Sequence, residues 1–146
     1  MEEKPKKARN FRNYKVWQDA VAYATKVYKI TSEMPWFEKK GLCDQLQRAA
    51  VSISSNIAEG AAKPSDVEFA HFLDTALGSA FEVETQLLIA KNVGYLQSKS
   101  NDNHNNDNVN HNHNHNNKTV TYEELLSELQ EIERQINGLI STLRKN

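Results

Sequence analysis

Apolar residues recur along this chain at intervals of three and four, in four separate stretches, and no stretch shows the alternation of a β-strand. The first stretch runs from about Asn13 to Ser32, with Val16, Trp17, Ala20, Val21, Ala24, Val27 and Tyr28 at helical spacing. Met34-Pro35 closes it, because the residue before a proline is pushed out of the helical region. The second covers about Glu38 to Ala62, carries Leu42, Leu46, Ala49, Ile53 and Ile57 on its inward stripe, and stops at Lys63-Pro64. Ser65-Asp-Val-Glu68 has the form of a capping box and opens a third helix, whose apolar face is Phe69, Phe72, Leu73, Ala76, Leu77, Ala80, Phe81, Leu87 and Leu88, reaching about Leu96. A second box, Thr121-Tyr-Glu-Glu124, opens the fourth, striped by Leu125, Leu129, Ile132, Ile136, Leu139, Ile140 and Leu143.

The expected fold is therefore all-α: an antiparallel up-and-down four-helix bundle spanning residues 13–146. Short connections at 33–37 and 62–64 make the first three helices antiparallel neighbours, and the fourth returns to cover the remaining apolar face. Residues 1–12 read as a flexible basic arm. Residues 98–118 read as a disordered Asn/His-rich loop, since ten of the seventeen residues from Asn101 to Asn117 are Asn, four are His and one is apolar. Such a tract cannot bury enough surface to offset the entropy of ordering it.

Beside the inward stripe of the second helix runs a narrower one made of Ala50, Ser54, Ala58 and Ala61. Positions of this kind usually carry Lys and Glu when they face water. Small side chains there predict a close approach by another helix or another copy of the chain, and these four residues are the candidate oligomer interface.

At 146 residues the chain suits one domain with a real core. It has no apolar run able to cross a bilayer and no secretory segment at Met1-Glu-Glu-Lys, so a cytoplasmic, membrane-free protein is expected. The single cysteine, Cys43, agrees with a reducing compartment. Net charge is -1, but residues 1–12 carry +3 and residues 64–97 carry -4. A basic arm either stays solvated or touches nucleic acid, and the candidate nucleic-acid residues are Lys4, Lys6, Lys7, Arg9, Arg12, Lys39, Lys40, Arg48 and Lys63. Arg48 lies one turn beyond Asp44, placed either for a surface ion pair or for a phosphate.

Catalytic chemistry finds little support. Glu68-Phe-Ala-His71 has the Glu-x-x-His spacing of a di-iron ligand pair, but every other histidine lies in the loop, so no second pair exists and Glu68 has a cap to serve. The alternating His111, His113 and His115 lack a fixed geometry for a metal. Cys43 reads as a small buried thiol, and Glu124, Glu128 and Glu131 as a solvated stripe. No glycine-rich phosphate loop and no Ser/His/Asp arrangement is present. The expectation is a protein without catalytic residues, metal, cofactor or small-molecule substrate.

The segments Phe11-Arg-Asn-Tyr-Lys-Val-Trp-Gln-Asp-Ala20, Gly41-Leu, Gln45-Leu-Gln-Arg-Ala-Ala-Val-Ser-Ile-Ser-Ser-Asn-Ile-Ala-Glu-Gly60, Glu68-Phe-Ala-His-Phe-Leu73, Ala76-Leu-Gly-Ser79 and Gly94-Tyr-Leu96 carry a family likeness. The chain resembles the four-helix bundle proteins encoded in intervening sequences of 23S ribosomal RNA genes, a group that includes the accessory variability determinant proteins of diversity-generating retroelements. That resemblance implies a homopentameric ring and, in the retroelement branch, a scaffold for a reverse transcriptase and its RNA template. For other members it implies an intervening-sequence protein acting as a structural protein–protein oligomer. Two features depart from the family pattern: the Asn/His tract is an insertion, and the slight negative charge allows nucleic-acid binding only where the basic residues gather on one side.

Overall fold

The computed structural model describes residues 9–99 and 119–145. Four α-helices run through them, with no strand among the described residues: α1 Lys15–Thr31, α2 Leu42–Ala61, α3 Asp66–Asn92 and α4 Tyr122–Arg144. Local chemistry sets their ends. Ser65 Oγ accepts the Glu68 backbone N–H at 3.2 Å, and Thr121 Oγ1 accepts that of Glu124 at 3.3 Å, each satisfying a donor that the first helical turn leaves open. The return half of the Ser65 box differs from its usual form, because the Glu68 carboxylate accepts from the Ser65 hydroxyl at 3.2 Å. At the far end of α3 the chain reverses through Gly94, whose φ of +89° suits a residue without a Cβ, while Tyr95 N–H returns to the Ala90 carbonyl at 2.8 Å.

Three boundaries differ from the periodicity, the third helix ending at Asn92 rather than near Leu96. The first helix starts at Lys15, after a 3-10 turn at Phe11–Asn13 that Asn10 caps through its side chain. The second starts at Leu42, because the residues following Pro35 form a separate 3-10 turn, Trp36–Glu38. Tyr95 Oη donates to the Glu38 carboxylate at 2.9 Å, fastening this connection to the end of α3.

The helices stand as a square in which α1 and α3 each pack on α2 and α4. Phe69, Leu46, Ile53, Ile57, Leu73, Leu87, Leu125, Leu129 and Ile136 fill the centre, all nearly without solvent contact. Side chains of this size each gain about 1.5–3 kcal/mol from burial, which makes the core the principal source of stability.

The small-residue stripe lies toward α1, on the α2 face from which Cys43 and Gln47 bond to Thr31. Ala50, Ser54 and Ala61 are buried and Ala58 is half-buried within the single chain. The expected intersubunit role of this stripe is thereby corrected, because Ala50 and Ala61 keep no surface to offer a second copy; α2 meets α3 along its next face, the most extensive seam. Gly60 marks the tightest point, where an added Cβ would fall 2.6 Å from Phe72 Cβ and 2.9 Å from Phe69 Cδ1. Ser52 and Ser79 hydroxyls meet across the same seam at 2.8 Å.

The ends of two expected flexible segments are held in place. Arg9 donates to the Lys63 carbonyl at 2.7 Å and pairs with Asp66, so the basic arm is anchored by its ninth residue. Ser98 Oγ donates to Glu123 at 2.5 Å, and Lys99 N–H to the same carboxylate at 3.1 Å, which moves the start of the Asn/His loop beyond residue 99. The remainder of that loop, with its histidines, lies outside the described residues, as do Lys4, Lys6 and Lys7.

Candidate interaction surfaces

The basic residues proposed from sequence fall into two groups at opposite ends of the bundle. Arg9, Arg12 and Lys63 gather where α2 turns into α3. Arg9 lies over the Phe69 ring at 5.0 Å, Arg12 over Phe11 at 4.5 Å and Lys63 over Phe72 at 5.1 Å. These stacks hold the cations on aromatic faces. Arg9 is further committed to Asp66, leaving the exposed Arg12 and the half-buried Lys63 as the cationic groups of that corner. Lys39 and Lys40 sit at the other end, exposed, ahead of α2. Arg48 is also on that half, and its Nε bonds to Asp44 at 3.0 Å. Twenty residues of α2 separate the groups, about 30 Å at 1.5 Å per residue. The described residues thus form no single basic face.

Carboxylates show a feature that periodicity did not flag. Glu128 pairs with Lys26 at 2.6 Å and Glu131 with Arg134 at 2.5 Å, as solvated side chains do. Glu133 points the other way. It is buried beside Glu84 of α3, and one of its oxygens, Oε2, has no hydrogen-bond partner. Burial pushes its carboxyl up to about 7, and the neighbouring Glu84 adds to the rise by sharing a hydrogen bond and by its charge. Glu133 is four residues beyond Leu129 and three before Ile136, so its place on the inward stripe was present in the spacing.

Phe81, Glu84, Thr85, Leu88, Tyr122 and Glu133 together line a groove of about 400 Å³ between the outer edges of α3 and α4. Phe81 is 51% exposed and Leu88 44%, correcting their assignment to the inward face of the third helix. Because α3 is apolar toward the core and again along this flank, its two faces contrast little. At the adjacent end of the bundle Trp36 is 86% exposed and Phe37 62%, their rings edge to face at 6.1 Å. In α1, Val21 and Tyr28 likewise face solvent, while Tyr23 takes the buried position.

Other candidate chemistry is tied up structurally. Cys43 is buried, its thiol 3.6 Å from the Thr31 carbonyl and pushed above its ordinary range by burial. His71 is exposed and Glu68 serves the cap. Among the described residues no three His, Cys, Asp or Glu side chains converge on a metal position, and no helix is long and apolar enough to cross a membrane.

The sequence of residues 12–117 matches the family described as 23S rRNA-intervening sequence protein. The chain belongs to that family. A solved structure, of a protein of unknown function from the S23 ribosomal protein family of Bacteroides thetaiotaomicron, superposes with a TM-score of 0.67. It is 20% identical and the match covers 86% of this chain and 95% of the other, so the likeness concerns the fold. No curated protein sequence matches. In this intervening-sequence protein the matched region runs through the first three helices, including the α2–α3 seam and the Phe81–Leu88 edge.

Proposed function

We propose that this intervening-sequence protein works as a self-assembling scaffold whose activity is to hold macromolecules together. The observation that carries the reading is its surface: Trp36, Phe37, Phe81 and Leu88 are large apolar side chains left in water on a small bundle. Exposed apolar patches on a small domain mark interaction sites. The family resemblance supplies the expected form, a ring of five subunits, and the expected cargo, RNA and a reverse transcriptase as in the retroelement accessory proteins. Nucleic acid would approach the end that bears Arg12 and Lys63, and Lys4, Lys6 and Lys7 precede Arg9 of that end in the sequence.

A second reading, a structural oligomer that meets protein alone, is favoured by the separation of the basic residues and the net charge of -1. Light scattering coupled to size exclusion tests assembly. Fluorescence anisotropy with labelled RNA over a salt series separates the two readings: affinity that falls steeply with salt supports RNA contact through counterion release. No binding at low salt rejects the nucleic-acid half and leaves the protein scaffold.

A further inference from the structure

The knob at Trp36–Phe37 and the groove at Phe81–Leu88 are complementary in charge, and each carries exposed apolar side chains. The knob is two exposed aromatic rings followed by Lys39 and Lys40, neither ion-paired to any described residue. Phe81, Leu88 and Tyr122 supply the groove's apolar surface, with Lys91 over the Tyr122 ring at 5.0 Å, and Glu84, Thr85 and Glu133 supply its polar surface. The unpartnered Glu133 Oε2 is the part of this arrangement that the chain leaves incomplete by itself, since a buried carboxylate oxygen ordinarily has a donor.

Position agrees with chemistry. The connection bearing the knob joins α1 to α2, and the groove lies on the α3–α4 edge, which is the opposite edge of the square. Both features are on the same half of the bundle, because the knob's Glu38 is bonded to Tyr95 just past α3 and Tyr122 begins α4 there. Two different patches at one height on opposite edges are what a head-to-tail contact between parallel neighbours requires. Such a contact, repeated through a closing rotation, makes a ring.

We infer that one copy of this chain seats its Trp36–Phe37 knob in the Phe81–Leu88 groove of the next copy, with Lys39 or Lys40 placed against Glu84. This rests on the self-association proposed above and names the surfaces that perform it. Aromatic anchors in a pocket with charges at its edge are the usual makeup of an interface centre.

Mixing two one-sided variants tests the arrangement. Trp36→Ser with Phe37→Ser removes the knob, and Phe81→Lys obstructs the groove. All three positions are exposed, and circular dichroism checks that each variant stays helical; Leu88→Ser replaces Phe81→Lys should the latter unfold. Each variant alone should have the light-scattering mass of one protomer at a concentration where the parent is assembled. An equimolar mixture should give a dimer and nothing larger, because only one intact knob can meet one intact groove. Glu84→Lys should also break assembly, and adding Lys39→Glu with Lys40→Glu to the same chain should restore it. A parent that is monomeric overturns this inference together with the self-association reading. A parent that assembles while the one-sided variants keep its full mass overturns this inference alone, leaving the knob as a surface for a different protein.

Discussion

The most and the least extensive seams of the bundle are built on opposite plans. Between α2 and α3 the contact is made of things left out: Gly60 has no side chain where Phe72 stands, and the short Ser52 and Ser79 side chains meet at 2.8 Å. Between α1 and α4 the contact is made of things reaching across. Tyr23 Oη donates to the Leu125 carbonyl at 2.8 Å, Gln135 Nε2 to Asp19 at 2.9 Å and Lys26 to Glu128 at 2.6 Å, with a groove of about 370 Å³ left between them. Close packing makes the first seam intolerant of added atoms, whereas long polar side chains make the second adjustable. The difference predicts where a substitution is felt.

The largest effect should come from Gly60→Val. Its Cβ would meet the Phe72 Cβ and the Phe69 ring well inside contact distance, and the branch leaves little rotamer choice. A loss of about 3 kcal/mol, at the upper end for overpacking, is expected in urea unfolding. Gly78→Ala is the control, since nothing lies within 4 Å of its added Cβ; it should gain about 0.5–1 kcal/mol from helix propensity. Equal responses at the two glycines would mean that the α2–α3 seam is looser than described.

Next in size is a pH effect at the α3–α4 groove, which shares α4 with the adjustable seam. Glu133 has a folded-state pKa raised from 4.5 to about 7, so the native chain holds its proton more tightly than the unfolded one. Its contribution is complete below the unfolded value and is lost as pH rises through about 7. The groups that face it are Glu84 from α3 and the buried Tyr23 from α1, whose phenol is held above its ordinary range first by burial and then by the charges of Glu128, Glu133 and Glu84. Between pH 5 and pH 8 this should cost on the order of 2 kcal/mol. Glu133→Gln should flatten that part of the pH–stability curve and melt higher than the parent at pH 8. A parent curve with the same slope as the variant's would remove Glu133 as its cause.

Tyr23→Phe follows, with a loss of about 1–1.5 kcal/mol measured by urea midpoint, the ordinary value of one buried hydrogen bond. Apolar packing of the ring survives the change, so Tyr23→Leu should lose more.

Legibility in the sequence followed the same division. Four helices, their order and both capped starts were readable, because spacing at three and four residues and the Ser65 and Thr121 caps are local features. The small stripe on α2 was visible too, though its partner was not: nothing in Ala50 or Ala61 says whether the approaching helix is one's own. Val21, Tyr28, Phe81 and Leu88 were misplaced inward because an apolar residue at the edge of a stripe looks like one at its centre. Glu133 drew no assignment at all, since a charge on a helix stripe suggests solvent until the opposing Glu84 is in place. The candidate surfaces depend on which edges of the square lie opposite one another, and that is a property of packing.

The smallest effect sharpens the comparison most. Lys26 and Glu128 are joined at 2.6 Å across the α1–α4 seam, yet their side chains remain 35% and 45% exposed. Water and salt screen a pair of this kind, and holding two long side chains costs rotamer entropy, so it contributes only about 0.2–1 kcal/mol. Glu128→Gln should therefore lower the urea midpoint slightly at low salt, with the difference disappearing at high salt, while the Gly60→Val loss persists unchanged. A Glu128→Gln loss that matches Gly60→Val and resists salt would show that the α1–α4 seam is as rigid as its neighbour, and the distinction between seams that exclude atoms and seams that reach across would fail.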